Sequence, residues 1–356
     1  MTAGRSQRLK TQAVAIDRGC SGRIAPLFVW LLLAACCVPA GSAAPLHAAQ
    51  LKAEDVNAAQ FSGKPPPAHE ISPLGIRLQV LLARAHFSPG EIDGKFGENA
   101  KKALRAYAEA QQLPSADKLT PQVWQKLAAD DGPVLTTYRI TAKDIAGPFL
   151  SRLPHKMEDM KHLHRLDYTS PREELAETFH MSQELLAALN PGQHFHETGA
   201  TIVVTDIGSG ADAPAQADRV KVDKIRQTVE VFDASNRLID FFPATVGSEE
   251  KPSPSGTLRV TRVDHNPIYH YNPKYHFKGV HAKSPFIIRP GPNNPVGTVW
   301  ISLSAEGYGI HGTPDPGKVS KAASHGCVRL TNWDAERLAS EVKKSTPVAF
   351  VDSSNS

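Results

Sequence analysis

The spacing of apolar residues changes period along the chain, and the changes divide it. Leu74, Leu78, Leu81, Leu82 and Ala85 recur at three- and four-residue steps behind Ser72-Pro73, an N-cap followed by proline at the first helical position. A glycine-bearing loop (Gly90, Gly94, Gly97) leads to a second helical face on Ala100, Ala103, Leu104 and Tyr107. Thr120-Pro121 opens a third helix, burying Val123, Trp124 and Leu127. Over 138–206 the signal is mixed: 175–179 and 185–190 read as helical, and 201–205, T-I-V-V-T, as a strand. Beyond 208–218 the period falls to two. Val220, Val222, Val229 and Val231 alternate, 233–236 turns, and 238–246 returns as a hairpin partner. Further strands are expected at 257–263, 286–289, 298–303 and 347–351. One helix interrupts them, capped by Thr331 with Asp334 three residues on and facing inward with Ala335, Leu338, Ala339 and Val342. The pattern predicts a multidomain α+β chain: a β-rich sandwich or barrel-like domain with one main helix, preceded by a small three-helix domain and a small mixed α/β module.

The first segment is of another kind. Residues 1–24 are basic, and 25–38 form an apolar run ending in small residues, the layout of a signal peptide with a core too short to cross a bilayer comfortably. Ser42-Ala43-Ala44 suits cleavage. Leu33-Ala34-Ala35-Cys36 resembles a bacterial lipobox, which would tether the protein to a membrane through a lipidated Cys36; either route leads out of the cytoplasm. The expected divisions are signal peptide 1–44, linker 45–70 around Pro65-Pro66-Pro67, helical domain 71–132, mixed module 137–207, linker 208–217 and β-rich domain 218–352. The leader also explains the net charge of +4 on 356 residues: Arg5, Arg8, Lys10, Arg18 and Arg23 stand against Asp17, leaving the remainder near neutral. A near-neutral body lacks the basic face that phosphate binding needs, so no nucleic acid is expected as partner.

Three of the four cysteines (Cys20, Cys36, Cys37) fall in the leader, so Cys327 stands alone afterwards. An unpaired thiol in an exported protein is a candidate reactive group. It closes a stretch that reads G-I-H-G-T-P, a short variable run, then S-H-G-C-V-R-L. A cysteine attacks as thiolate, and a nearby imidazole is the usual means of lowering its pKa from about 8.5. His311 and His325 are both within reach of a folded-back loop, and Gly326 permits a tight turn that aims the Cys327 N–H at an oxyanion. This combination points to thiol acyl transfer.

H-G-T-P followed by S-H-G-C-V-R-L resembles the signature of the L,D-transpeptidase catalytic domain, which builds bacterial peptidoglycan cross-links. S-P-S-G-T-L-R-V from Ser253 and P-G-P-N-N-P-V-G from Pro290 resemble the same family's pattern, in order. The resemblance implies Cys327 as nucleophile, His311 as general base, the Gly312 carbonyl as third element of the triad and His325 as a tuning or orienting neighbour, the two histidines being able to exchange roles. Arg329 would bind a substrate carboxylate or hold the loop, Ser324 and Gly326 would shape it, and Tyr308 and the aromatic, His-rich segment 269–281 would wall the donor site or, equally, form a hairpin exterior. No cofactor is implied. The partners implied are peptidoglycan stem peptides and glycan strands, with an outer-membrane lipoprotein as a further acyl acceptor, in the periplasm or cell envelope. I-D-G-K-F-G (from Ile92) is similar to the peptidoglycan-binding-like three-helix domain, with Asn99 where that family usually has threonine. Residues 137–207 resemble a degenerate LysM module.

Other readings use the same residues. Water in place of an amine acceptor would make a carboxypeptidase or endopeptidase, and an incidental thiol would leave a non-catalytic wall-binding protein. Zinc on His311, His325, Cys327 and His270 or His281 lacks the usual paired ligand spacing. His155, His162, His164, His180, His194 and His196 lack it too and read as surface or packing residues.

Overall fold

The computed structural model describes residues 51–114, 118–208, 215–247, 252–275, 280–321 and 326–352. The expected signal peptide, Cys20, Cys36 and Cys37 lie outside the described residues, as do Ser324, His325, 276–279 and most of the 208–217 joint. No helix among the described residues is long and apolar enough to cross a membrane.

The chain opens with α1 (Ala53–Asn57), α2 (Pro73–Arg84), α3 (Glu98–Ala110) and α4 (Pro121–Leu127). Ser72 and Thr120 cap α2 and α4 through their hydroxyls, each with proline just inside the helix. Segment 51–70, expected as a linker, does not run free. Val56 on α1 is fully buried, and Asn57 Oδ1 accepts the backbone N–H groups of Val134 and Leu135 while its Nδ2 donates to the Leu135 carbonyl. A short polar segment reads as linker because its one buried valine sets up no period.

β1 (Leu135–Arg139) pairs antiparallel with the distant β2 (Thr201–Thr205), enclosing α5 (Met157–Met160), α6 (Pro171–Thr178) and α7 (Gln183–Leu189). Helix α6 starts at Ser170-Pro171, ahead of the apolar run at 175, with the Ser170 hydroxyl accepting from the Glu173 N–H. The helical unit and this β-α-β unit share one hydrophobic core, from Val56 through Leu82, Leu104 and Leu185 to Val204, and Phe241 of the β-rich domain belongs to it.

The remaining strands are β3 (Arg219–Asp223), β4 (Thr228–Phe232), β5 (Leu238–Pro243), β6 (Thr245–Val246), β7 (Gly256–His265), β8 (Tyr269–Tyr271), β9 (Phe286–Ile288), β10 (Val299–Leu303), β11 (Gly309–His311), β12 (Val328–Arg329) and, after α8 (Asn332–Glu341), β13 (Pro347–Val351). Nine of them form one sheet in the order β5-β4-β3-β13-β7-β10-β11-β12-β6, and β8 pairs with β9 apart from it. Its two end strands are consecutive in the chain, joined through Ala244, so the sheet curls until it nearly closes. The alternating valines of β3 and β4 line its core with Ile301, Ile310, Leu338 and Val348.

Helix α8 begins two residues after β12, and its first turn is held by the N-terminal units. Asn332 Nδ2 donates to Glu177 Oε1 of α6 at 2.6 Å, the Trp333 indole stacks on His180 at 4.9 Å, and Asp334 Oδ2 accepts from Ser88 Oγ at 3.0 Å. Thr331 caps the helix by accepting the Asp334 N–H, as expected. Further along, Arg337 forms a two-pronged pair with Asp240 of β5.

Burial pushes the Asp334 carboxyl up to about 7, the Asp240 charge adding to the effect and the Ser88 and Thr331 hydrogen bonds and Arg337 opposing it. A carboxyl raised in the fold stabilises it most below the unfolded pKa, and that contribution is lost as pH rises through about 7. Buried His180 and His311, both pushed down to about 3, act in the opposite sense, losing their contribution as pH falls below the unfolded value. Comparison with Asp334→Asn, which keeps an acceptor for Ser88 and does not titrate, isolates the aspartate. The stability of wild type relative to this variant should fall between pH 4 and pH 8, by about 4 kcal/mol at most. Urea unfolding at both pH values checks it, and a pH-independent difference would contradict the assignment.

Candidate active site

Strands β10, β11 and β12 form the floor of the site. Trp300 pairs with His311 across the antiparallel β10–β11 ladder, and His311 pairs with Arg329 across the parallel β11–β12 ladder. Directly paired residues project to one face, and the period of two adds Gly309 on β11 and Cys327, the residue just before β12. One face therefore carries Trp300, His311, Arg329 and Cys327. The pairing is reinforced by the Leu330 N–H donating to the His311 carbonyl at 2.8 Å. The Trp300 ring stacks on the His311 ring at 5.4 Å and 18°, with Nε1–H tied to Ser302 Oγ at 2.9 Å. That indole also covers Gly309, where a Cβ would fall 2.5 Å from a ring carbon.

His311 is buried, and its Nδ1 lies 2.7 Å from the Gly312 carbonyl oxygen. A carbonyl only accepts, so Nδ1 carries the proton and Nε2 is left with its lone pair. Burial lowers the imidazole pKa to about 3; the Arg329 charge lowers it further and the Gly312 hydrogen bond opposes both. The ring is neutral at physiological pH, able to take a proton at Nε2. Gly312 has no room for a side chain, since a Cβ there would lie 2.2 Å from Asn332 Oδ1.

Cys327 is partly exposed, with its sulfur 3.7 Å from the Gly307 carbonyl. Gly326, at φ +95°, turns the chain into it, and its carbonyl accepts a 2.7 Å hydrogen bond from the buried Ser253 hydroxyl, which ties S-P-S-G-T to the turn before Cys327. Arg329 is half-buried; burial lowers its pKa, Asp315 and Cys327 hold it up, and its Nε has no acceptor among the described residues. Tyr269 on β8 has its phenol pKa raised by burial and by the charges of Cys327 and Tyr271, and β8 pairs antiparallel with β9.

Tyr308 is placed differently. It closes the β10–β11 turn, its carbonyl accepting from the Leu303 N–H, and the alternation of β11 assigns it to the face of Ile310 rather than that of His311. The structure thus brings together Cys327, His311, Gly312, Gly326 and Arg329. Roles for Ser324 and His325 fall outside the described residues. Among the described residues no group of three or more His, Cys, Asp or Glu side chains is arranged to hold a metal ion. Trp300 and Asn332 are site residues that the sequence motifs do not single out, while Ser253 opens one of those motifs without a role being assigned to it. For Asn332 the available signal was its place directly after the Thr331 cap.

Comparison with known proteins agrees with this geometry. The family described as "L,D-transpeptidase catalytic domain" matches residues 217–349, and that described as "Putative peptidoglycan binding domain" matches residues 76–127. The chain is 28% identical over 180 residues to the "Putative L,D-transpeptidase YkuD" of Bacillus licheniformis, covering 50% of this chain and 92% of that one. It is 31% identical over 116 residues to the protein of the same name in Bacillus subtilis, covering 33% and 56%. To the "Probable L,D-transpeptidase YbiS" of Escherichia coli K12 it is 27% identical over 197 residues, covering 52% and 61%. The chain thus spans nearly all of the first relative and less than two thirds of the other two. Residues 217–349 of this chain thus match the L,D-transpeptidase catalytic domain family, and residues 76–127 ahead of them match the putative peptidoglycan-binding family.

Proposed function

We propose that the protein is an exported L,D-transpeptidase that exchanges acyl groups on peptidoglycan stem peptides through a Cys327 thioester. The observation that carries the reading is the shared face of β11 and β12, where a partly exposed thiol stands with a neutral imidazole whose Nε2 is free to accept a proton. His311 Nε2 takes the thiol proton as the sulfur attacks the carbonyl joining diaminopimelate to the terminal D-alanine of a tetrapeptide stem. The oxyanion is met by backbone N–H groups at the Gly326–Cys327 turn. Collapse of the tetrahedral intermediate breaks the C–N bond, and the imidazolium returns its proton to the leaving D-alanine amine. An acceptor amine then attacks the thioester, giving its proton to His311 and restoring the thiol. Diaminopimelate of a neighbouring stem would yield a cross-link, a lipoprotein lysine an attached lipoprotein, and a D-amino acid an exchanged terminus.

Arg329 binds a stem carboxylate in this scheme, supported by its unpaired Nε and by a charge that suits bidentate carboxylate contact. Ser324 and His325 shape the approach to the sulfur. The basic-then-apolar leader supports export as a signal peptide. Units 71–132 and 137–207, the second taken as LysM-like, serve as adapters to the wall polymer and raise the effective concentration of stems.

Exposure to a carbapenem should add the mass of one drug to the wild-type protein and none to Cys327→Ala; equal labelling of both rejects Cys327 as the acylated group. His311→Ala should slow adduct formation by about 10²–10⁴-fold by removing the proton acceptor, read from the time course of intact mass. Purified tetrapeptide incubated with and without an acceptor amine should release D-alanine and give a joined product only with acceptor. A product carrying water in place of the amine in both reactions would identify a hydrolase instead.

A further inference from the structure

We infer that Glu177, on α6 of the accessory β-α-β unit, is a positioning residue for the acyl-transfer reaction, holding the Gly312–His311 pair through the side-chain amide of Asn332. The inference rests on the assignment of His311 as the proton acceptor.

Asn332 is buried where four segments meet, and its amide is fully engaged. Nδ2 donates to Glu177 Oε1 at 2.6 Å and to the Pro292 carbonyl at 3.2 Å, while Oδ1 accepts the Thr298 N–H at 3.2 Å. That oxygen fills a niche left by two glycines, since a Cβ at Gly312 would lie 2.2 Å from it and one at Gly297 2.0 Å. Gly312 in turn supplies the carbonyl that fixes the His311 tautomer. The path from α6 to the imidazole is therefore carboxylate, amide, glycine backbone, ring, each in direct contact with the next.

On its own side Glu177 neighbours the Tyr168 phenol, whose pKa burial and the Glu177 charge push up. One turn earlier on the same helix, Glu173 Oε1 accepts from Asn293 Nδ2 at 2.9 Å, so two carboxylates at i and i+4 hold the loop at 290–297 and the start of α8. Burial raises the Glu177 pKa to about 7, yet Oε1 accepts from Asn332 whether or not the group is protonated. An amide in place of the carboxyl keeps that acceptor. Truncation leaves an Asn332 donor buried without its partner, which favours rotation of the amide and removes Oδ1 from its place behind Gly312.

The test is the rate of Cys327 acylation by a carbapenem in the full chain, resolved into the rate constant at saturation and the half-saturating concentration. Absence of adduct on Cys327→Ala first secures the reading on which the relay depends; adduct there as on wild type would overturn both. Glu177→Ala should lower the saturating rate constant by about 10–100-fold with the half-saturating concentration little changed, the cost of misplacing a catalytic group from outside the site. Glu177→Gln should restore it to within about a factor of three of wild type. Because Glu177 acts through Asn332, adding Glu177→Ala to Asn332→Ala should cost nothing further. If Glu177→Ala does not fold, Glu177→Asp, one methylene short of the amide, should show the same loss of rate constant. A wild-type rate constant in the folded Ala or Asp variant, an effect of Glu177→Ala undiminished in the Asn332→Ala background, or a Gln variant as slow as Ala would overturn the relay.

Discussion

β12 contains two residues, Val328 and Arg329, flanked by partner strands of two and three, so its own ladder hydrogen bonds are too few to fix Cys327 just before it. What fixes it is the start of α8 two residues later. Asn332, Trp333 and Asp334 are consecutive, and each meets a side chain from the N-terminal half of the chain: Glu177, His180 and Ser88. An amide–carboxyl hydrogen bond, a ring stack and a buried hydroxyl–carboxyl contact impose three different geometries on one helical turn. Side chains locked in this way are how a short catalytic segment keeps its geometry. The units that the family comparisons treat as separate from the catalytic domain thus complete the support of its active-site strands.

Inside that frame the electrostatics follow from burial. His311 lies under Trp300 with a carbonyl on Nδ1 and a guanidinium nearby, and all but the carbonyl favour the neutral ring. With Nδ1 committed to the carbonyl, the neutral ring keeps its lone pair on Nε2, which is the state the proposed proton-accepting role calls for. Arg329 draws support from Asp315 and from the sulfur itself, so the cation is best accommodated when the thiolate is present. The three groups are coupled through charge as well as through strand register.

Much of this was legible in the sequence wherever the physical cause was local. Period-two valines, the proline-capped helices at Ser72 and Thr120, the Thr331 cap, and the glycine-flanked histidine and cysteine all act within a few residues, and their elements stand where the pattern put them. Contacts without a period were not legible. β1 and β2 are separated by some sixty residues of chain, so Leu135–Arg139 gave no sign of its partner, and the boundary drawn at 137 cuts through it. The segment before Ser72 read as linker because Asn57, which ties α1 to β1, is an ordinary polar residue until its partners are known. Glu177 and Asn332 were silent for the same reason, each being a common residue at a common helix position. Tyr308 shows a different limit: wall and hairpin exterior read alike in sequence, and only the strand alternation assigns it to the face of Ile310, next to the turn whose Gly307 carbonyl meets the Cys327 sulfur.

Strand β5 stands at one end of the nine-stranded order, where an exposed row of N–H and C=O groups invites pairing with another chain. Residues 86–88 cover part of that row: the Phe241 N–H donates to the His86 carbonyl, the Ser88 N–H donates to the Phe241 carbonyl, and the Phe241 ring lies in the core of the N-terminal units. The stretch leaving α2 thus serves as a selvedge for the sheet. A fragment cut at residue 217 would keep all nine strands but present this edge bare, with a large aromatic beside it, so its solubility would suffer together with its chemistry.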